Sequence, residues 1–498
     1  MHFTIIDGYT DEPSGLGVPP YLGTYPRYIV GAIKKLGHTY TYLTIDDLRT
    51  PHKPSLKTDI TTYNRTGKNP YTVLETTNVI IVNSGVHTPG KYLSALPATL
   101  KEITSKIAGF HARKILTGPA AEAGLGSGLY GGKIAHPDFS AYDLVAPHLE
   151  FKLDQLIKNN FVADVFVPWT YEMLREISLL GAELVEFHPS FGKNLMVEIE
   201  TSTGCSSAKC SFCTEPIKNK FTNRKVEDIV REVQAVGKFG VENFRLGKQA
   251  DFFARPLDQM EEMLKTIVET VHPRVLHIDN VNPQLVTDDK VKLLVRYCTE
   301  GNIAAFGAET FDPVVTASNT LNSPAEVTYK AVQIINKYGK VRGPNGMPRF
   351  LPGINILFGL KDESKKTHEH NMYWLKRILE EDLWLRRINI RQVVAFPGTK
   401  LYEECKTKFV KKNKRYYYRW RHDIREKIDN PMLKKIVPFG AILSDVYTEV
   451  YDGNTTFGRQ IGTYPLIVGM KGRLPLNKRV TVRVVGHMLR SIVGEVVE

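Results

Sequence analysis

Between residues 194 and 396, short apolar segments recur at the spacing of alternating strands and helices, and this repeat restricts the fold more than any other feature. The strand candidates are LMVEIE (195–200), VENFRLG (241–247), VLHIDNV (275–281), IAAFGAE (303–309), INILFGL (354–360) and INIRQVVAF (388–396). Helical stripes lie between them: Val226, Ile229, Val230 and Val233 make one, and Val291, Leu294, Val295 and Cys298 another. Ser323, Pro324 and Glu326 have the spacing of a capping-box start for a helix through Ile334 and Ile335. Six strand–helix repeats predict a partial (β/α)6 barrel, whose chemistry belongs at the carboxyl ends of its strands.

The flanks differ. In residues 1–150 the strand candidates FTIID (3–7), TYTYLTI (39–45), NVIIVNS (78–84) and KILTGP (114–119) predict an α/β, Rossmann-like parallel sheet. Tyr28, Ile29, Ala32, Ile33 and Leu36 mark its first helix, stopped by Gly37. Such sheets bind ligands beyond the carboxyl ends of their strands, where Asp7, Asn83, Ser84, His87 and Gly118 fall, as ligand contacts or as plain loop residues. Residues 151–190 read as a helical connector, and 191–404 as the barrel. Residues 405–438 break the pattern: KTKFVKKNKRYYYRWRH (406–422) carries eight Lys/Arg and no acid, interleaved with Tyr416, Tyr417, Tyr418 and Trp420. Residues 439–498 alternate with glycine turns, as in VTVRVV (480–485) and SIVGEVV (491–497), and predict a small β-barrel.

Of five cysteines in 498 residues, three fall in TSTGCSSAKCSFCTEP (201–216). No apolar run has the length of a membrane span and the start lacks a signal peptide's pattern, so the expected setting is cytoplasmic, without membrane attachment. Thiols there stay reduced, and a tight cluster points to metal or redox chemistry rather than a disulfide framework. Zinc takes four protein ligands, and beyond Cys205, Cys210 and Cys213 the next candidates are His188 and His277. Three thiolates can instead hold three corners of a cubane 4Fe–4S cluster and leave one iron open for catalysis. Cys298 lies on an apolar helical stripe and reads as core; Cys405 stands alone.

From about residue 194 to 404 the sequence resembles the radical SAM superfamily. Its usual C-x3-C-x2-C appears here as C-x4-C-x2-C, with the customary aromatic at Phe212. LGKQAD (246–251) takes the place of the motif that handles the methionyl amino group. AFGAET (305–310) resembles the fourth-strand segment, GINILFGLKDES (353–364) the adenine-side motif, and VVAFPGTKLYEE (393–404) the Pro-Gly-Thr segment of the methylthiotransferase-like branch. The resemblance implies a 4Fe–4S cluster on Cys205, Cys210 and Cys213. It implies S-adenosylmethionine near Phe212, Gly247, Lys248, Gln249, Asn280, Glu309, Asn355, Gly359 and Ala395. It also implies an electron donor of ferredoxin or flavodoxin type, and cleavage to a 5′-deoxyadenosyl radical. Methylthiotransferases carry a second cysteine trio, and no cysteine precedes Cys205.

The N-terminal segment resembles the cobalamin-binding domains that precede many such cores, without the lower-ligand D-x-H-x-x-G motif, so bound cobalamin and a bare scaffold both stay open. The C-terminal stretch resembles a TRAM domain, a barrel found on tRNA-modifying enzymes. With a net charge of +13 and the basic–aromatic run, the expected substrate is tRNA or other RNA. The alternative is a cobalamin-dependent radical methylase acting on a small molecule, lipid or protein.

Overall fold

The computed structural model describes residues 1–9, 20–49, 69–85, 97–122, 128–129, 131–136 and 138–497. His87 and most of the loop after the first strand lie outside the described residues. Two compact units result: Met1–Leu129, Ile134–Ile199 and Arg224–Phe244 form one, and Tyr130–Lys133, Glu200–Asn223 and Arg245–Glu498 the other.

The first unit holds the expected parallel sheet, in the order Thr39–Thr44, His2–Asp7, Val79–Asn83, Arg113–Thr117, Leu144–Val145. The inner strand His2–Asp7 is apolar on both faces, as a parallel strand covered on both sides must be. Phe3 and Ile5 pack with Tyr28, Ile29 and Ile33 of the helix Thr24–Lys35, while Ile6 packs with Leu43, Ile80 and Ile103 on the other face. Helices Leu149–Lys158 and Tyr171–Leu180 follow in the connector segment. Tyr21–Leu22, too short to read from the sequence, pairs in parallel with the strand Met196–Glu200. The unit also buries an ionic triad completely. Arg27 donates to Glu232 at 2.5 Å and to the carbonyl of Glu198 at 2.5 Å, and Arg224 binds the other Glu232 oxygen.

The second unit contains a parallel sheet in the order Asn280–Val281, Asn302–Glu309, Phe350–Phe358, Arg387–Gln392. Three local expectations are corrected. VLHIDNV breaks at Asp279, between Val275–Ile278 and Asn280–Val281, because the buried Asp279 carboxylate binds Arg245 and the Tyr464 hydroxyl. INIRQVVAF ends as a strand at Gln392, since Val393 and Ala395 turn into a separate apolar cluster. No capping box opens Ala325–Gly339: Pro324 takes the N-cap, and the Ser323 hydroxyl donates to Asn322 instead. Cys298 is core, at 2% exposure.

Residues 400–405 and 408–436 are helical, broken at Lys406 (φ 46°), with Lys408–Ile424 the longest piece. The C-terminal strands form a closed barrel in the order Ile442–Asp452, Thr455–Gln460, Ile467–Lys471, Ile492–Val496, Arg479–His487. Leu443, Val446, Val468, Val482, Val484 and Ile492 fill it. Among the described residues no helix is long and apolar enough to cross a membrane.

Candidate active site

Ser202–Thr203 pairs antiparallel with Thr222–Asn223, so the cysteine loop, residues 204–221, is clamped at its base. Gly204 opens the loop at φ +73°, and a side chain there would place its Cβ 2.5 Å from the Phe221 nitrogen, so only glycine fits. Ala208 also takes a left-handed turn (φ 48°) and donates its N–H to Cys205 Sγ at 3.5 Å. Further on, the Ser211 N–H and hydroxyl both donate to Asn319, and Leu401 donates its N–H to Ser211 O at 2.8 Å. These anchors hold Cys210 and Phe212 against Val315, Leu360, Val393, Ala395, Leu401 and Val410.

The thiols sense one another. Burial pushes Cys210 up to about 11, with Glu309 and Cys205 adding to the rise. Burial likewise takes Cys213 to about 12, with Glu215, Cys210 and Cys205 contributing. Three thiolates so placed would repel unless a cationic centre sat among them. Among the described residues no three His, Cys, Asp or Glu groups approach closely enough to hold a single metal ion. Of the two histidines, His277 has both ring nitrogens engaged and His188 has Nδ1 engaged. His277 donates from Nε2 to Glu300 O and accepts the Thr463 N–H, and His188 Nδ1 accepts the Ser190 N–H.

The other residues singled out in the sequence fall into three groups. Phe212 and Ala395 meet on the cluster beside Cys210, and Gly359 (φ +98°) abuts it so closely that a Cβ would lie 2.3 Å from Val410. Gly247, Lys248, Gln249 and Asn280 form a second, hydrogen-bonded group: Thr201 N–H donates to Gly247 O, the Thr201 hydroxyl to Gln249 Oε1, and Asn280 Nδ2 to Gln249 O. The Gln249 side chain is wholly buried and also donates to Leu246 O, so it braces the strand end. Lys248 beside it takes φ 62°. Glu309 stands at a bulge with φ 63°; burial lifts its carboxyl to about 8 against the pull of Arg391. Asn355 accepts from Asn389 Nδ2 at 3.1 Å.

Three supporting residues escaped sequence reading: Asn319, Glu363 and Asn413. Glu363 accepts the Gly359 N–H at 2.7 Å, and Asn413 Nδ2 donates to Glu363 at 2.9 Å. Glu363 falls within the segment GINILFGLKDES (353–364), while nothing in the local patterns of Asn319 and Asn413 distinguishes them from ordinary loop or helix polar residues.

In the first unit, Asp7, Asn83, Ser84 and Gly118 do gather at the strand ends. Gly8 N–H donates to Asn83 O, Ser84 N–H to Thr117 O, and the Tyr42 hydroxyl to Asp7. The basic run is a helix with two faces. Tyr417 and Trp420 are buried against Phe358, and Tyr416 stacks on Trp420, so the two buried rings are not free to stack on bases. The 3.6-residue period turns them inward with Phe409, Val410 and Ile424. Tyr418, 54% exposed, stays on the outer face with Lys408, Lys411, Lys412, Lys414, Arg415 and Arg419.

Comparison with known proteins agrees with this architecture. The family model described as the radical SAM superfamily matches residues 199–370. An uncharacterised protein of Methanocaldococcus jannaschii is 42% identical across 99% of this chain and 93% of its own length. The ribosomal protein uS12 methylthiotransferase RimO of Thermosipho melanesiensis is 23% identical over 36% of this chain and 41% of its own. The solved radical S-adenosylmethionine methyltransferase TsrM of Kitasatospora setae, with cobalamin and a [4Fe-4S] cluster bound, superposes with a TM-score of 0.52 at 12% identity. That match covers 81% of this chain and 74% of TsrM, and the likeness is one of fold. Residues 199–370 belong to the radical SAM superfamily, whose enzymes use a 4Fe–4S cluster and S-adenosylmethionine and draw on an electron donor.

Proposed function

We propose that this enzyme carries its cluster on Cys205, Cys210 and Cys213 and modifies RNA, tRNA first among the candidates. One observation carries the RNA reading. The helix Lys408–Ile424 buries Val410 and Asn413 against Gly359 and Glu363 at the candidate site, while its outer face exposes six cations. None of the six is ion-paired with an acid among the described residues. Unpaired cations on a surface tied to a reaction centre suit a polyphosphate chain. The closed C-terminal barrel supports the TRAM-like reading of residues 439–498.

When bound, the cluster and its cofactor supply a 5′-deoxyadenosyl radical through one-electron cleavage of the sulfonium. The chain's own residues position and shield. Phe212, Ala395 and the side-chain-free Gly359 offer an apolar wall for the adenosine, and Leu360, Val393 and Leu401 behind them exclude water. Gly247 and Lys248 take the methionyl end, with Gln249, itself held by Thr201 and Asn280, bracing the strand end behind them. Glu309 faces the ribose side as a largely protonated acid near neutral pH. Asn355 lines the strand below.

A second reading, a cobalamin-dependent methylase of a small molecule, lipid or protein, draws on the fold likeness to TsrM. The two separate experimentally. Nucleoside mass spectrometry of total tRNA from a deletion strain should lose one modified nucleoside that the wild-type gene restores and a Cys205/Cys210/Cys213→Ala gene does not. An unchanged nucleoside profile, together with a corrinoid spectrum retained through gel filtration, would replace the first reading with the second.

A further inference from the structure

Alternation along Phe350–Phe358 and Arg387–Gln392 sorts side chains onto two faces. Ile354, Ile356 and Phe358, in register with Ile388, Ile390 and Gln392, make the helix-covered face, where Phe358 meets Tyr417 and Trp420. The opposite face presents Asn355 beside Asn389, with Arg387 opposite Gly353 on one side and Arg391 opposite Leu357 on the other. Asn389 donates to Asn355 Oδ1 at 3.1 Å, which leaves one Nδ2 proton of Asn389 and the Asn355 amide group as further donors.

The Arg387 end of this face has a floor. Tyr464, from the loop between Thr455–Gln460 and Ile467–Lys471, lies under the guanidinium, with its ring centroid 4.0 Å from Cζ. Its hydroxyl donates to Asp279 at 2.8 Å, and Asp279 also pairs with Arg245, so that acid is already engaged. Arg387 and Arg391 carry no ion pair among the described residues; burial, with the charge of Arg391 adding to it, holds Arg387 below its ordinary range against the pull of Asp279. The two guanidiniums stand four residues apart on one partly buried face, and the acids that act on them are weak counter-charges: Asp279 is already shared with Arg245 and Tyr464, and burial lifts Glu309 towards its neutral form.

We propose that Arg387 and Arg391, with the Asn355–Asn389 amide pair between them, form an anion site that grips a phosphate or carboxylate group of the substrate. Guanidinium forks and amide N–H groups are the donors that bind such oxyanions bidentately. The site rests on the enzyme reading only in taking its ligand for the substrate. It holds whether that substrate is RNA, through a phosphate, or a small carboxylate.

The test needs neither cluster nor RNA. Inorganic phosphate, acetate and chloride are titrated at constant ionic strength into the full-length, cluster-free chain, and the Tm is followed. Phosphate or acetate should raise the Tm saturably and chloride should not; the stronger of the two names the group. Arg387→Gln and Arg391→Gln should each weaken the apparent affinity about tenfold, the equivalent of one charge-assisted contact. A double Lys411→Gln, Lys414→Gln variant should leave it unchanged. If the glutamine variants fold poorly, Arg387→Lys and Arg391→Lys keep the charge and lose the fork, and should bind more weakly than wild type. Equal stabilisation by chloride, or wild-type affinity in all Arg387 and Arg391 variants, overturns the site. So does weakened S-adenosylmethionine binding in Arg391→Gln with the phosphate response intact, which would mean that Arg391 grips the cofactor's carboxylate.

Discussion

Ser211 gives both of its donors to one residue: its N–H donates to Asn319 O at 2.9 Å and its hydroxyl to Asn319 Oδ1 at 2.8 Å. Asn319 is itself fully buried, and its Nδ2 donates to Val315 O and to Lys361 O. One amide thus ties the residue between Cys210 and Phe212 to the segment following Gly359.

Asn319→Leu should therefore damage the cysteine loop rather than the fold at large. It strands the Ser211 hydroxyl and the Lys361 carbonyl, at about 1–3 kcal/mol for each unsatisfied buried group. Iron bound after anaerobic reconstitution should fall well below wild type while the circular dichroism stays unchanged. Full iron content in Asn319→Leu would show that the thiols need no such anchor.

Glu232 neutralises two guanidiniums that have no access to water. Removing one member of a buried ionic set leaves charge uncompensated, which costs about 3–5 kcal/mol. Glu232→Ala should lower the Tm strongly. Arg27→Met with Glu232→Leu and Arg224→Met should recover most of the loss, less the bonds from Arg27 to Glu198 O and from Arg224 to Ser178. A Glu232→Ala protein as stable as wild type would mean that the triad is not closed to solvent.

His277 makes stability depend on pH with a definite sign. Burial holds its imidazole neutral, down to about 4 in the fold against about 6.5 in the unfolded chain. The unfolded state thus binds the extra proton between those values, and folding stability is complete above about 6.5 and falls as pH drops towards 4. The contribution is on the order of 3 kcal/mol. Asp251, Glu363 and Glu309, lifted by burial to about 6, 7 and 8, act in the opposite direction, so the informative quantity is a difference. The loss of Tm between about pH 7.5 and pH 5 should be smaller in His277→Gln than in wild type. An equal loss in both would assign the acid sensitivity elsewhere, His188 being the next buried imidazole.

What could be read in the sequence followed from local patterns with few solutions. Apolar strands at regular intervals, Cys298 on its helical stripe and the alternating C-terminal segments each have one good burial. What stayed hidden depends on distant partners. Asp279 breaks a strand because Tyr464, 185 residues on, donates to it. Asn319 and Asn413 look like any surface amide until the segments they join are brought together. The composition of residues 416–420 does not separate RNA-facing rings from packed ones, and the helical period does, sending Tyr417 and Trp420 inward and leaving Tyr418 outside.

That period also decides the final prediction. The outer face of Lys408–Ile424 holds Lys411, Lys412, Lys414 and Arg415, and none of them takes part in the apolar packing of the inner face. Each phosphate contact contributes about one unit to the slope of log binding constant against log salt concentration. Changing all four to glutamine should weaken tRNA binding and flatten the slope by up to about four units. Trp420→Ala, by contrast, should lower the Tm, because the ring fills space between Phe358 and His368. It should leave the salt slope alone. S-adenosylmethionine cleavage without RNA should persist in the four-site variant, since Val410 and Asn413, which touch the candidate site, are unchanged. A wild-type salt slope in that variant would make the basic face a solvated surface only and remove RNA as the substrate class.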